Sequence, residues 1–155
     1  DDPGCARCGA PVGVDEGAGA ICGACIVEPP AFDSARAAVI YGEASHKLIV
    51  AFKHAARTEL LPLLSRLLAG AGAGLDWSGA LIVPCPLHPM RLLRRRYNQA
   101  AMLMQGVYTA IARARGAEMA VDALSRIKAT PPQQQLSAEA RRRNGAGAFV
   151  VRDFW

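Results

Sequence analysis

Residues 80–99, ALIVPCPLHPMRLLRRRYNQ, contain the stretch that decides the fold of this chain. The apolar run at 80–83 is typical of a buried strand, and Pro84 and Pro86 end it because proline has no backbone N–H to donate. Four arginines follow within six residues: Arg91, Arg94, Arg95 and Arg96. Ligands of open α/β sheets bind beyond the carboxyl ends of the strands, so a cationic loop at this position indicates an anionic ligand such as phosphate. The alternative is a solvated arginine face on the first turns of a helix.

The composition describes a folded chain with an uneven charge distribution. Of the 155 residues, 52% are hydrophobic and 20% are charged, which excludes a disordered protein. Residues 1–33 carry six acidic side chains and one basic one, whereas residues 34–155 carry seventeen basic and seven acidic ones. The larger segment therefore suits nucleic acid or phosphorylated small molecules. The sequence contains neither a visible signal peptide nor an apolar run of the ~20 residues that a membrane span needs.

The first four cysteines form two Cys-x-x-Cys pairs that are thirteen residues apart: Cys5, Cys8, Cys22 and Cys25. Two thiolates three positions apart can bind one metal ion from a tight turn, and four complete a tetrahedral site. Two disulfides or a redox Cys-x-x-Cys are the alternatives, which the missing secretion signal and the duplicated motif disfavour. We therefore predict a structural zinc site with no open position for catalysis. Cys85, which lies between two prolines, is predicted to be buried.

Strand-like and helix-like segments alternate along the rest of the chain. The predicted strands are residues 36–41, 80–83, 121–127 and 148–151. The predicted helices begin near Ser45, Thr58 and Ser137, and a long one runs from Tyr97 to Arg115. This alternation predicts an α/β domain with a mostly parallel sheet at 31–155, after a zinc-ribbon module at 1–30.

Together these motifs resemble the ComF family of competence proteins, which are phosphoribosyltransferase-like. Besides the paired Cys-x-x-Cys, the matching motifs in family order are Leu48-Ile49…Phe52-Lys53, Pro84-x-Pro86-Leu87-His88, Arg91…Arg95-x-Tyr97-Asn98-Gln99, Thr130…Gln133…Leu136 and Arg141…Asn144…Gly147-Ala148-Phe149. The resemblance implies a type I phosphoribosyltransferase-like fold, with a mostly parallel sheet, flanking helices and a small N-terminal zinc ribbon.

Two departures from the family pattern bear on function. Arg96 stands where the family usually has glycine. The chain also stops before the family's acidic pair and Thr-Thr-Gly loop, which would bind the ribose hydroxyls and the 5-phosphate of phosphoribosyl pyrophosphate. We therefore expect a fragment that is incomplete at the C-terminus and inactive as a transferase.

The resemblance also implies a function and its residues. It implies a cytoplasmic bacterial protein of natural transformation that binds single-stranded DNA and, with Mg²⁺, phosphoribosyl pyrophosphate, with other DNA-uptake proteins as partners. The expected pyrophosphate-binding residues are Arg91, Arg95, Asn98 and Gln99. The expected DNA-backbone contacts are Arg94, Arg96, Arg141, Arg142 and Arg143. The alternative is an active phosphoribosyltransferase, similar to an amidophosphoribosyltransferase, that transfers a ribose 5-phosphate group to a nitrogen nucleophile.

Overall fold

The structure, a computed structural model, describes residues 4–13, 15, 17, 19–54, 57–131, 133 and 136–152. The chain divides into two compact units. Unit 1 comprises Asp1–Leu60 and Leu67–Leu75, and unit 2 comprises Leu61–Arg66 and Asp76–Trp155. The expected division into modules at 1–30 and 31–155 stays a prediction.

The described residues form six helices and four short strands. The helices are α1 Gly23–Val27, α2 Glu43–His54, α3 Leu61–Ala71, α4 Pro89–Arg95, α5 Gln99–Val107 and α6 Ala138–Gly145. Further turns of helix are the 3-10 turns Thr58–Leu60 and Arg113–Arg115 and the π turn Tyr108–Ala112. The strands are β1 Leu81–Ile82, β2 Glu118–Met119, β3 Leu124–Arg126 and β4 Phe149–Val151. None of the described helices has the length and apolar character that crossing a membrane requires.

The four strands form two separate pairs in unit 2. β1 pairs in parallel with β2, and β3 pairs with β4 in antiparallel orientation. The described residues thus combine helices with two small sheets, but a mostly parallel sheet is not confirmed, since the parallel pairing of the described residues is limited to the two-residue strands β1 and β2. In the β3–β4 pair, Arg126 lies directly opposite Phe149, so both side chains project from the same face.

Two local predictions are wrong. Residues 36–41 form no strand, because a strand needs a partner for its N–H and C=O groups and no described segment pairs with this one. Tyr41 is accordingly 74% exposed. Cys85 is exposed rather than buried, while the preceding Pro84 is fully buried. Successive side chains of an extended segment point to opposite sides, so burying Pro84 exposes Cys85.

A small apolar cluster fixes the start of the arginine-rich segment. Its members are the buried residues Ile82, Ala112 and Ala117 and the half-buried Trp77, Ala80, Met104, Tyr108 and Met119. The cluster joins β1 and β2 to the helical run that begins with α5. The carboxyl end of β1, where the chain turns toward the arginines, is therefore anchored on the core of unit 2.

Candidate metal centre and anion-binding site

The four paired cysteines bring their sulfur atoms together in unit 1. The Sγ atoms of Cys5, Cys8, Cys22 and Cys25 lie within 4.8 Å of one another, and those of Cys8 and Cys22 are 3.7 Å apart. Zinc–sulfur bonds of about 2.3 Å at tetrahedral angles separate neighbouring sulfurs by about 3.8 Å. All four cysteines are free thiols, so the cluster could hold one metal ion.

Two tight turns present these sulfurs. In the first turn, the N–H of Gly9 donates to the carbonyl oxygen of Cys5 over 2.9 Å. Gly9 has a φ of +72°, and a Cβ there would lie 2.9 Å from the carbonyl oxygen of Ala35, so only glycine fits. In the second turn, Cys22 directly precedes α1, and the N–H of Cys25 donates to the Cys22 carbonyl oxygen over 3.0 Å. The two residues between the cysteines of each pair thus form one turn.

The surroundings of Cys5 and Cys25 shift the pKa values of these two thiols in opposite directions. Main-chain N–H groups of Cys22 and Cys8 lower the pKa of Cys5 to about 6, because they stabilise its thiolate, and the Cys22 N–H lies 3.3 Å from the Cys5 Sγ. Burial raises the pKa of Cys25 to about 12. A bound cation would allow all four sulfurs to be thiolates at neutral pH.

The candidate anion-binding site begins beyond the carboxyl end of β1. Residues 83–88 are not in a helix or strand, and α4 then starts at Pro89, a residue that suits the first helical position. His88 is the N-cap of α4: its Nδ1 accepts a hydrogen bond from the N–H of Met90 over 3.4 Å. The arginines therefore lie on a short helix and directly after it, and not on an irregular loop.

Arg96 ends α4 in a left-handed conformation. Its φ is 66°, and its N–H donates to the carbonyl oxygen of Leu92 over 2.7 Å. Glycine is the residue most often found in this conformation after a helix, because it has no Cβ to clash. The backbone at Arg96 therefore has the conformation that favours glycine, the residue that the ComF family usually has at this position.

Burial separates the four arginines of this segment into two pairs. Arg91 and Arg95, one helical turn apart on the same face of α4, are half-buried, while Arg94 and Arg96 are exposed. Within the described part of the chain, no carboxylate forms an ion pair with any of them. Burial, and then the charges of Arg126, Arg95 and Arg94, lower the pKa of Arg91. Since a guanidinium stays protonated in proteins, positive charge accumulates here without a described counter-charge.

Thr130 connects Arg91 to a second arginine that sequence reasoning did not select. Arg91 donates from Nη2 to the main-chain oxygen of Thr130 over 2.8 Å, and Arg126 donates from Nη2 to the Thr130 hydroxyl oxygen. Thr130 is buried. The guanidinium carbon of Arg126 lies 5.2 Å from the ring centre of Phe149, its partner across the β3–β4 pair. One threonine thus holds two guanidinium groups near each other.

Asn98 and Gln99 lie at the start of α5, where the described contacts of Asn98 support the fold. The Oδ1 of Asn98 accepts hydrogen bonds from the N–H groups of Ala100 at 3.0 Å and Ala101 at 3.5 Å, which makes Asn98 the N-cap. Its Nδ2 donates to the carbonyl oxygen of Cys85 over 3.1 Å. Gln99 is buried, with 7% of its surface exposed. Their expected part in pyrophosphate binding stays a prediction.

The three consecutive arginines of α6 are all exposed. Arg143 forms an ion pair with Glu139 over 2.7 Å, and Arg141 donates from Nε to the carbonyl oxygen of Gln133 over 3.2 Å. Asn144 donates to the carbonyl oxygen of Pro131 over 3.4 Å. The structure therefore connects α6 to the segment that follows Thr130. The expected DNA contacts of Arg141, Arg142 and Arg143 stay a prediction.

Comparison with known proteins gives relatives named DNA utilization protein YhgH. The protein from Salmonella typhi is 31% identical over 151 residues, which cover 94% of this chain and 63% of the relative. The protein from Escherichia coli O157:H7 is 33% identical over 134 residues, which cover 83% of this chain and 57% of the relative. This chain thus spans about three fifths of the length of these relatives. No protein-family model matches the chain, and no solved structure matches it significantly.

Sequence reasoning missed Arg126 and β2. Arg126 lies outside the arginine clusters of the sequence, and its position beside Thr130 and opposite Phe149 depends on strand pairing. The available signal was the basic residue at the end of the predicted strand 121–127, just before the Thr130 motif. β2 is only two residues long and gives no periodic signal.

Proposed function

We propose that this chain acts in DNA utilisation by binding single-stranded DNA through its arginine-rich surface on a phosphoribosyltransferase-like scaffold. The names of the relatives support the DNA-related role, and the ComF-like motifs support the scaffold. The observation that carries the proposal is the group of arginines on and after α4 that no described carboxylate pairs with. Uncompensated guanidinium groups are suited to phosphate oxygens, which they bind through paired N–H donors.

The two pairs of arginines suit two different anions. Arg94 and Arg96 are exposed and are proposed to contact the backbone of single-stranded DNA, together with the arginines of α6. Arg91 and Arg95 are half-buried and are proposed to bind the pyrophosphate of phosphoribosyl pyrophosphate, with Mg²⁺ as its counter-ion. We propose that Asn98 and Gln99 hold this site in shape or contact the ligand directly.

The proposed metal of unit 1 is a structural Zn²⁺. Four clustered cysteine ligands favour zinc and would leave no position open for a substrate. The acidic first segment would repel DNA phosphates, so its proposed partner is another DNA-uptake protein. The proposed location is the bacterial cytoplasm, as in the ComF resemblance.

Titration of a fluorescent oligothymidylate at several salt concentrations tests DNA binding. If arginines neutralise phosphates, the logarithm of the affinity should fall linearly with the logarithm of the salt concentration, with a slope of about −0.7 per contact. The double variant Arg94→Gln/Arg96→Gln should reduce the magnitude of the slope by about 1.4, because it removes two contacts.

The matched control is Arg66→Gln/Arg113→Gln, which removes two exposed charges from other parts of unit 2. This control should leave the slope close to that of the unchanged chain. Affinity that does not depend on salt, or an equal loss in both double variants, would contradict DNA binding by the α4 arginines.

An active phosphoribosyltransferase is the second candidate. The observation that favours it is that Arg91 and Arg95 follow the carboxyl end of a strand in a parallel pair, where α/β enzymes bind ligands. The test is release of pyrophosphate from phosphoribosyl pyrophosphate and Mg²⁺ with a panel of nucleobases and amines. The longer Escherichia coli relative, assayed in parallel, serves as the comparison. Release that Arg91→Met abolishes would support catalysis, and no release by either protein would contradict it.

A further inference from the structure

We propose that Arg126 is a third cation of the anion site formed with Arg91 and Arg95, and that the three bind one anionic phosphate group beside Thr130. This inference deepens the proposed function, since it concerns the same site, and it rests on that function. Arg126 adds to the site a side chain from β3, which is separated from α4 along the chain by α5 and β2.

The first argument is the convergence of two guanidinium groups on one residue. Arg91 and Arg126 donate to two different oxygens of Thr130, the main-chain oxygen and the hydroxyl oxygen. Both acceptors are neutral, so they orient the two cations without cancelling their charge. Like charges held together repel each other, and an anion between them would remove that repulsion.

The second argument is that Arg126 is fixed in position before any ligand binds. Its guanidinium lies over the ring of Phe149 and is tied to the Thr130 hydroxyl. Its Nε is buried, and within the described residues it has no hydrogen-bond partner. A side chain that is already immobilised loses little conformational entropy when it binds an anion, which favours affinity.

The third argument is the shape and charge of the surroundings. Arg91 and Arg95 project from the same face of α4, and the charges of Arg126, Arg95 and Arg94 all act on Arg91. Glu43, Glu59 and Glu139 form ion pairs with other cations and not with these arginines. A phosphate group with several oxygens matches three forked donors better than a carboxylate does.

The phosphate group could belong to a free diphosphate compound or to the DNA backbone. Two probes distinguish these sources: inorganic pyrophosphate, titrated by calorimetry, and a fluorescent oligothymidylate. We expect Arg126→Met to weaken pyrophosphate binding by about tenfold, because a hydrogen bond to a charged group is lost. Arg126→Lys, which keeps the charge but not the fork, should weaken it less. Arg113→Met removes one exposed charge from another part of unit 2 and should change the affinity by less than about twofold.

Thermal unfolding of each variant shows whether it folds. Thr130→Val tests the role of Arg126 in a second way. This variant removes the hydroxyl that holds Arg126 but keeps the main-chain oxygen that holds Arg91. It should weaken pyrophosphate binding, but less than Arg126→Met does. If Arg126→Met affects only pyrophosphate, the ligand is a free phosphate compound, and if it affects the oligonucleotide equally, the ligand is the DNA backbone.

Folded Arg126→Met and Thr130→Val proteins that bind both probes as tightly as the unchanged chain would overturn this inference, while the proposed DNA function would stand. An unchanged chain that binds pyrophosphate but not the oligonucleotide would overturn the DNA function, while the pyrophosphate titration would still decide the role of Arg126. An unchanged chain that binds neither probe would overturn both.

Discussion

Gly106 in α5 lies so close to Ser65 in α3 that no side chain can be added to Gly106 without a clash. A Cβ on Gly106 would overlap both the Oγ and the Cβ of Ser65. Ser65 is 8% exposed, and its Oγ has no hydrogen-bond partner among the described residues. The contact therefore depends on the absence of a side chain at Gly106, and not on a hydrogen bond.

Gly106→Ala is therefore expected to destabilise the chain. Overpacking costs roughly 1–3 kcal/mol, and the better helix propensity of alanine offsets up to about 1 kcal/mol of this cost. The free energy of unfolding, measured in urea, should fall by up to about 2 kcal/mol. Ser65→Ala, which removes an unpaired buried hydroxyl, should be neutral or stabilising by about 1 kcal/mol.

Gly70→Ala is the matched control, since Gly70 lies in α3 and a methyl group added there would meet nothing within 4 Å. It should raise the free energy of unfolding by roughly 0.5–1 kcal/mol. If Gly106→Ala were as stabilising as Gly70→Ala, the close contact with Ser65 would be refuted.

Arg96→Gly is expected to stabilise the chain. Arg96 has a φ of 66°, where an L-residue with a Cβ is strained by roughly 1–2 kcal/mol and glycine is not. After the entropy cost of glycine in the unfolded chain, a net gain of about 0.5 kcal/mol in the free energy of unfolding is expected. Arg94→Gly, inside α4, should instead lose about 1 kcal/mol. If both variants lost the same free energy of unfolding, the left-handed conformation would not be a source of strain at Arg96.

Removal of the metal is expected to unfold the two turns of unit 1. The segment between the cysteine pairs has few apolar side chains to bury, so its order should depend on the metal. Serine at any of the four clustered positions, such as Cys8→Ser, should abolish stoichiometric zinc binding, measured by elemental mass spectrometry. Cys85→Ser is the control, because Cys85 is exposed and is not part of the cluster. Equal zinc content in the Cys8 and Cys85 variants would contradict the four-cysteine metal centre.

Asn98→Ala is expected to destabilise α5, because it removes the N-cap and the hydrogen bond to the Cys85 carbonyl oxygen. Loss of such a cap costs about 0.5–2 kcal/mol. Asn98→Asp keeps the acceptor that caps the helix but loses the donor to the Cys85 carbonyl oxygen, so it should recover only part of this stability. If Asn98 also contacts pyrophosphate, Asn98→Ala should weaken pyrophosphate binding even under conditions in which the variant is fully folded. Unfolding by urea and pyrophosphate titration of the same variants separate the two roles.

Much of the local architecture was predictable from short stretches of sequence. The break after β1 follows from Pro84 and Pro86, and the end of the α5 helical run follows from Gly116, which adopts a φ of 87°. The arginine-rich segment was predicted to offer positive charge, but its helical form was only one of two alternatives. His88 and Pro89 decide between them, because together they form the N-cap and first position of α4.

The sequence by itself determined the two cysteine pairs of the cluster, because two ligands three positions apart can meet a metal through one turn whatever the rest of the chain does. Only the tertiary structure decided that residues 36–41 have no strand partner among the described segments and that Cys85 is exposed. It also decided that Arg91 and Arg126 share Thr130, which is 39 residues from Arg91. Contacts of this kind depend on which distant segments pack together, and the free energy of that packing is not encoded in any short stretch of the chain.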